Sequence, residues 1–149
     1  MQFLNHALTS SYQVKPMLNP ILVFRMVKMT ILHGIYNVSC FAFACYSAWL
    51  VTEPTFDVEG GHFYSRVALD MMKKIDAVEM IPRVYSVAYA FTNIYKEPWQ
   101  AILSKHLEAY ECGMASGDVE FALTNTMMYA YTAVYGCGEN LEKCCEIVL

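Results

Sequence analysis

The feature of this sequence that most constrains its fold is a long window without charge, because residues 29–52 contain no aspartate, glutamate, lysine or arginine. Such a window is withdrawn from water, either in a membrane or in the core of a protein. A membrane span needs about 20 consecutive apolar residues, whereas His33, Gly34 and Asn37 interrupt this window. We therefore predict a helix that is buried within the protein and ends near Val51. A membrane-associated helical protein is the alternative.

The overall composition is apolar for a single domain. Hydrophobic residues make up 56% of the 149 residues and charged residues 16%, with a mean hydropathy of +0.30, whereas about 25% charged is usual. This balance predicts an inner section of a larger protein, whose neighbouring domains or protein partners cover much of its surface. The net charge of -4 and the scattered lysines and arginines argue against nucleic acid as a partner.

The cysteines predict a reducing environment. The chain has six cysteines, and no two of them have the C-x-x-C spacing of a metal or redox site: Cys40, Cys45, Cys112, Cys137, Cys144 and Cys145. The N-terminus lacks the basic and then apolar pattern of a secretory signal. We therefore expect a cytoplasmic protein with reduced, mostly buried thiols.

Apolar residues recur at three- and four-residue spacing along most of the chain, which predicts an all-α fold. Glycine and proline interrupt this pattern where helices are expected to end or begin: Gly34, Pro54, Pro98, Gly117 and Gly136. Asn37 or Ser39 is expected to cap the second helix, and residues 52–61 are expected to form a loop. The pattern predicts six helices and part of a seventh, paired as antiparallel hairpins. They are 21–32, a second helix from its cap to about Val51, a third with Phe63, Val67, Met71 and Ile75 on its buried face, a fourth over about 77–95, a fifth from Trp99 that ends at Gly117, a sixth over 119–135, and the first turns of a seventh at 140–149.

The chain divides at Pro20, since proline is favoured in the first turn of a helix. Residues 1–19 are expected to be a lead-in, either poorly ordered or the tail of an earlier helix. Residues 20–149 are expected to form one helical-repeat domain. Because the sequence stops on Ile147, Val148 and Leu149, which are all apolar, we expect this domain to be a fragment of a longer array.

The turn from Gly117 to Ala122 carries a specific structural prediction. Gly117 is expected to end one helix in a left-handed conformation, and the Asp118 side chain to cap the next helix by accepting from its free N–H groups. Ala122 is expected where the two helices cross, because a small side chain permits close approach. This turn resembles the inter-helix turn of a tetratricopeptide repeat, although Tyr110 stands where that repeat has a small residue and Gly113 where it has an aromatic one.

A series of short motifs runs along the chain between residues 20 and 142. The motifs are His33-Gly34, Phe41-Ala42-Phe43-Ala44-Cys45-Tyr46, Ala68-Leu69, Pro98-Trp99, Ala109-Tyr110-Glu111-Cys112-Gly113-Met114, Gly117-Asp118, and Tyr135-Gly136 before Leu141-Glu142. In this order they resemble the helical middle region of large multidomain signalling ATPases. Those proteins join an AAA or STAND-type ATPase, often behind a protein-kinase-like domain, to this region, and GAF with histidine kinase or cyclase domains follow in many of them.

The resemblance implies a non-catalytic helical-repeat scaffold or a signal-transmission module that holds or relays a nucleotide-dependent state. The sequence contains none of the ATPase, kinase or cyclase motifs of that family. The phosphate loop G-x-x-x-x-G-K-[ST] is absent, since Gly60-Gly61-His62 is too short and lacks the lysine. We therefore expect no enzymatic activity from this chain alone and no cofactor.

Residues suited to metal binding or nucleophilic catalysis are scattered. The four histidines have no histidine or cysteine three or four residues away: His6, His33, His62 and His106. A zinc site that combines one of them with Cys137 or with Cys144 and Cys145 is therefore not favoured, and chance pairs of serine or cysteine with histidine do not predict a nucleophile. Asn37-Val38-Ser39 fits a glycosylation sequon, but we interpret it as a helix cap.

Aromatic residues at helical spacing offer one further candidate site. They occur in two groups: Tyr85, Tyr89, Phe91 and Tyr95, and Tyr129, Tyr131 and Tyr135. Packing between helices, with the hydroxyl groups reaching the surface, is the favoured interpretation. A small helical enzyme with a tyrosine-rich pocket is the alternative.

Overall fold

Seven α-helices and no strand occur in the part of the chain that the computed structural model describes, residues 1–52, 55–140 and 142. The predicted all-α class is therefore confirmed. Each helix packs against its neighbours in sequence. The helices are α1 (Gln2–Val14), α2 (Asn19–His33), α3 (Asn37–Val51), α4 (Val58–Lys74), α5 (Ile81–Val87), α6 (Trp99–Ser116) and α7 (Val119–Tyr131).

Two predicted helices contain more than one type of helical turn. Residues 77–95 comprise α5 and three short segments, a 3₁₀ turn at Val78–Met80, a π-helical segment at Ala88–Thr92 and a 3₁₀ turn at Asn93–Tyr95. Residues 119–135 comprise α7 and the start of a π-helical segment at Thr132–Gly136. The predicted partial helix 140–149 lies outside the described residues, except for Asn140 and Glu142.

Helix α3 lies at the centre of the fold, and apolar or small side chains occupy all sides of it. Nine of its 15 residues are buried: Ser39, Cys40, Phe41, Ala42, Phe43, Ala44, Ser47, Leu50 and Val51. Helices α1, α2, α4 and α5 all contact it. A helix that is apolar on every side is stable only when it is enclosed. The uncharged window of the sequence therefore forms the buried helix that was predicted.

The predicted loop at residues 52–61 is wrong at its C-terminal end, where the first turn of α4 begins. Asp57 caps this helix, and its Oδ1 accepts a hydrogen bond from the N–H of Gly60 at 2.9 Å. Gly61 lies in this turn because α4 approaches α3 closely: a Cβ atom on Gly61 would be 2.5 Å from Val51 Cγ1. Close helix packing, and not a flexible turn, explains this glycine.

Residues 2–14 form a helix, α1. The sequence had left two expectations for the lead-in at residues 1–19: a poorly ordered segment or the tail of a helix. Helix α1 contacts α2 and α3, and it buries Asn5 and Leu8. The Ser11 hydroxyl donates a hydrogen bond to Asn19 Oδ1 at 2.5 Å, which ties the end of α1 to the start of α2. The apolar residues on the inner side of α1 are few, and this explains why the sequence pattern alone was ambiguous.

The cap of α3 differs from the prediction. The chain turns at Gly34, whose φ of 95° lies in the region that favours glycine. Tyr36 is the residue at the cap, and its N–H donates to the Ser39 hydroxyl at 3.0 Å. Asn37 is already helical, and its side-chain amide donates to the Glu79 carboxylate. Ser39 thus contributes to the cap from inside the helix, while Asn37 connects α3 to the segment before α5.

The side chain of Asp118 also differs from the prediction. Gly117 has a left-handed conformation, with φ 81° and ψ 8°. Asp118 precedes α7, but its side chain makes no hydrogen bond to the N–H groups of that helix. Its Oδ2 instead accepts from Arg83 Nε at 2.6 Å. A charged donor forms a stronger hydrogen bond than a backbone N–H, so Arg83 on α5 captures the carboxylate.

Helices α6 and α7 approach each other at Gly113 and Ala122. Ala122 is fully buried, and a Cβ atom on Gly113 would lie 2.8 Å from its Cβ atom. Gly113 departs from the tetratricopeptide pattern, and this contact gives the reason: the two backbones are too close for a side chain there.

We predict that Ala122→Leu destabilises the protein by about 1–3 kcal/mol, because the added atoms overpack the α6–α7 contact. Urea unfolding monitored by circular dichroism measures the change. Leu123→Ala on the exposed side of α7 is the matched control and is expected to change stability by less than about 0.5 kcal/mol. Equal stability of the two variants would show that Ala122 does not lie at a tight contact.

We predict that Asp118→Asn destabilises the protein by about 1–2 kcal/mol, because asparagine loses the charge-assisted bond to Arg83. If Asp118 were a helix cap, asparagine would replace it at little cost, since the two residues cap equally well. A double-mutant cycle with Arg83→Gln, measured by urea unfolding, separates these cases. If Asp118 and Arg83 form an ion pair, the double variant loses less stability than the sum of the two single variants. Additive losses of stability would contradict the ion pair.

Candidate functional site

The histidines and cysteines are dispersed in the fold. Among the described residues, no group of three or more histidine, cysteine, aspartate or glutamate side chains is arranged to hold a metal ion. His6 and His33 are exposed and His62 is half-buried, whereas His106 is fully buried. Cys144 and Cys145 lie outside the described residues.

The four described cysteines, Cys40, Cys45, Cys112 and Cys137, form no disulfide. Burial raises the pKa of Cys40 to about 11 and that of Cys45 to about 12. Burial also raises the pKa of Cys112. A thiolate is the nucleophilic form of cysteine, so these three side chains act as small apolar groups of the packing and not as nucleophiles.

The tyrosines of α5 and the π-helical segment after it pack into the core. The Tyr85 and Tyr89 rings meet edge to face, with centroids 5.0 Å apart, and both residues are 6% exposed. Lys105 Nζ lies 5.7 Å from the centroid of the Tyr85 ring and 2.8 Å from Glu108 Oε2. Burial raises the pKa of both tyrosines. Their rings fill space between helices and do not line either of the two clefts described below.

His106 belongs to a buried hydrogen-bond network that sequence reasoning missed. Its Nδ1 is 3.0 Å from Asn125 Oδ1. The Asn125 amide donates to the carbonyl oxygens of Pro82 at 2.8 Å and Phe121 at 2.7 Å. Because the amide nitrogen is occupied by two acceptors, its oxygen faces His106, and Nδ1 must carry the hydrogen. The sequence signal was the position of Asn125 four residues after Phe121 and four before Tyr129, on the apolar side of α7.

The second nitrogen of His106 is left with a lone pair and no hydrogen-bond partner in the described chain. Burial lowers the pKa of His106, and the hydrogen bond to Asn125 opposes this shift. The neutral imidazole is therefore the stable form inside the fold. This arrangement joins α5, α6 and α7 in one buried network and gives the histidine a structural role.

A second set of buried polar groups connects α3 and α4 to the segment after α5. The hydroxyl groups of Ser47 and Thr92 are 3.2 Å apart, and the Ser65 hydroxyl donates to Asn93 Oδ1 at 2.9 Å. All four residues are buried. Pairing of this kind fixes which residues face each other in a core that is otherwise apolar.

The two described clefts offer little chemistry. The larger, of about 660 Å³, lies between the start of α1, the end of α2 and the start of α3, and its lining includes one histidine, His33. The smaller, of about 140 Å³, lies between α1, Arg83 and Glu120. Ser10, His6 and Glu120 line the smaller cleft together with Thr9 and Arg83. No hydrogen bond joins the Ser10 hydroxyl, the His6 imidazole and the Glu120 carboxylate, so these described side chains are not arranged as a catalytic set.

Two helices carry series of exposed apolar side chains that are candidates for contact with other molecules. We call the first the α7 face, because its members follow one another every four residues along α7 and beyond it, and each is between 48% and 75% exposed: Val119, Leu123, Met127, Tyr131 and Tyr135. We call the second the α2 face, whose members are between 41% and 73% exposed: Ile21, Phe24, Ile31 and Leu32. Contiguous exposed apolar surface marks interaction sites more often than single exposed residues do.

The α7 face was present in the sequence but was not recognised. Phe121, Asn125 and Tyr129 form the buried side of α7, and they already account for one apolar stripe. The residues of the α7 face form a second apolar series on the other side of the same helix. Because the core is already filled by the first series, the second series predicts a contact with another helix or another protein. Sequence reasoning had noted Tyr129, Tyr131 and Tyr135 on this helix, as aromatic residues that pack between helices with their hydroxyl groups at the surface.

Gly117, Asp118 and Ala122 were predicted to form a structural turn, and the structure places Gly117 and Asp118 between α6 and α7 and Ala122 near the start of α7.

Comparison of the chain with protein-family models, with curated proteins and with solved structures finds no match. Over the described residues, no helix has both the length and the apolar character required to cross a membrane.

We predict that lowering the pH from 7 to 5.5 destabilises the protein through His106. The folded-state pKa of His106 is below its unfolded value of 6.5, so the unfolded chain binds a proton that the folded chain rejects. The stability loss therefore begins near pH 6.5 and grows as the pH falls, by up to about 1.4 kcal/mol per pH unit. Urea unfolding of wild type and His106→Gln across this range measures it.

The variant is expected to show a smaller pH dependence than wild type, whatever its absolute stability. His33→Gln, at an exposed position, is the control and is expected to keep the wild-type dependence. Parallel curves for wild type and His106→Gln would contradict the assignment.

Proposed function

We propose that this chain is a non-catalytic helical-repeat scaffold or signal-transmission module of a multidomain signalling ATPase or kinase. The observation that carries the proposal is the α7 face, a continuous apolar surface on the last described helix. Exposing such a surface to water is unfavourable at about 25 cal/mol per Å². A neighbouring helical segment, in the parent protein or in a partner protein, would cover it.

The contacts between helices support a stacked arrangement. In addition to the sequential pairs, α3 contacts α5 and α5 contacts α7. In a helical-repeat array each hairpin covers the apolar face of the hairpin before it, so a single segment taken from the array has uncovered faces. The α2 face and the α7 face fit this expectation, as does the tetratricopeptide-like turn between α6 and α7.

The distribution of reactive groups also supports a scaffold. His106, Cys40 and Tyr89 are all buried in packing between helices, where they contribute to stability. A signal could pass through such a module as a small rigid-body shift of packed helices, because a tightly packed core transmits displacement from one face to the other.

The coding sequence on both sides of this chain tests the placement. A phosphate loop upstream and a GAF, histidine kinase or cyclase domain downstream, in the same reading frame, is the expected result. A complete reading frame without any ATPase or kinase motif would overturn the placement in a signalling ATPase.

We predict that the purified chain shows no saturable hydrolysis of ATP or GTP, because it lacks the backbone cradle and lysine that hold a nucleotide's phosphates. Phosphate release measured against nucleotide concentration checks this. His106→Gln and Tyr89→Phe serve as controls, since contaminating activity does not respond to changes in this chain. Turnover that saturates and is abolished by either substitution would contradict the non-catalytic proposal.

A further inference from the structure

Charge is distributed unevenly between the two exposed apolar faces. The first 52 residues contain three basic residues and neither aspartate nor glutamate. All three are exposed, and two of them, Arg25 and Lys28, lie on α2. They lie four and seven residues after Ile21, so they project from the same side of α2 and belong to the α2 face. Neither is ion-paired with another described residue.

The surroundings of the α7 face have the opposite charge. Residues 97–142 contain seven acidic residues and a single basic one, Lys105, which pairs with Glu108. Glu120 is exposed three residues before Leu123, on the α7 face itself, and Glu111 is exposed on the neighbouring helix α6. Within the described part of the chain, neither Glu111 nor Glu120 forms an ion pair.

The charges decide which faces can pair. Burying an unpaired charge at an interface is unfavourable, and an opposite charge across the interface offsets that cost. Contact between two α2 faces would bring Arg25 and Lys28 of one copy against the same cations of the other. Contact between two α7 faces would oppose Glu120 with Glu120. Contact between an α2 face and an α7 face combines apolar burial with opposite charge.

We propose that the α7 face of one copy of this chain packs against the α2 face of a second copy, head to tail. The inference rests on the proposed function, since it uses the same two faces and names the partner. Such a contact is heterologous, so the assembly extends into a chain or closes into a ring. The α7 face has few residues compared with the about 20–30 per side of a standard interface, so reversible association with a dissociation constant on the order of 10 μM is expected.

Two substitutions at exposed positions, each blocking one face, test the proposal. Met127→Lys places a cation on the α7 face, where it would meet Arg25 and Lys28. Ile31→Glu places an anion on the α2 face, where it would meet Glu120. Val78→Lys is the matched control, because Val78 is 53% exposed and lies on neither face. Circular dichroism checks that each variant folds. If Met127→Lys does not fold, Leu123→Lys on the α7 face replaces it; if Ile31→Glu does not fold, Ile21→Glu on the α2 face replaces it.

Sedimentation velocity between about 5 and 500 μM gives the readout. Wild type and Val78→Lys are expected to form species larger than a dimer as concentration rises, and each face variant alone is expected to stay monomeric. A mixture of the two face variants is expected to form a 1:1 dimer and nothing larger, because each retains one intact face. Raising the salt from about 50 to 500 mM is expected to weaken the wild-type association at least threefold through screening.

Three results would overturn the proposal: a wild-type monomer at every concentration, association abolished by Met127→Lys but unchanged by Ile31→Glu, or a mixture that stays monomeric. The second result would indicate pairing of two α7 faces. A wild-type monomer would leave the scaffold proposal intact, since the faces would then contact other segments, and the coding sequence on either side tests that proposal separately.

Discussion

The enclosure of helix α3 on all sides is the constraint on which the rest of the structure depends. Its small residues let neighbours approach closely, as at Gly61, where α4 comes too near to Val51 for any side chain. Because α3 has no charged residue and few polar ones, removing its surface from water is strongly favourable. Helices α1, α2, α4 and α5 pack around α3. Helices α6 and α7 pack against α5, and the Phe121 ring of α7 also meets the Phe41 ring of α3 edge to face, with centroids 5.7 Å apart.

An apolar core by itself allows several ways of packing, and the buried polar pairs select one of them. Ser47 with Thr92, Ser65 with Asn93, and His106 with Asn125 each join different elements. Leaving such groups unpaired costs about 1–3 kcal/mol each, so a shift of one helix along another would be opposed at several points. The network at His106 also couples the packing of α5, α6 and α7 to pH.

The apolar excess of the sequence is divided between this core and two outer faces. The α2 and α7 faces hold large side chains that lie outside the core, whereas His106, Cys40 and Tyr89 are buried in packing between helices. The proposed scaffold function rests on this division, because a segment of a helical-repeat array has uncovered apolar faces. The opposite charges near the two faces add direction to such contacts, because they disfavour the pairing of like faces.

The sequence by itself determined the all-α class, the buried helix of the uncharged window and most of the helix boundaries, because periodicity and the conformations of glycine and proline are local properties. Other features needed the tertiary structure. Asp118 bonds Arg83 and not the helix that follows it, and Gly61 serves a contact with α3 and not a loop. In each case a residue distant in sequence, Arg83 for Asp118 and Val51 for Gly61, decides the role of the residue. Local sequence patterns do not contain that contact, and only the folded arrangement does. The same holds for the α7 face, since a sequence can place apolar residues on two sides of a helix, but the packing of the other helices decides which side stays in water.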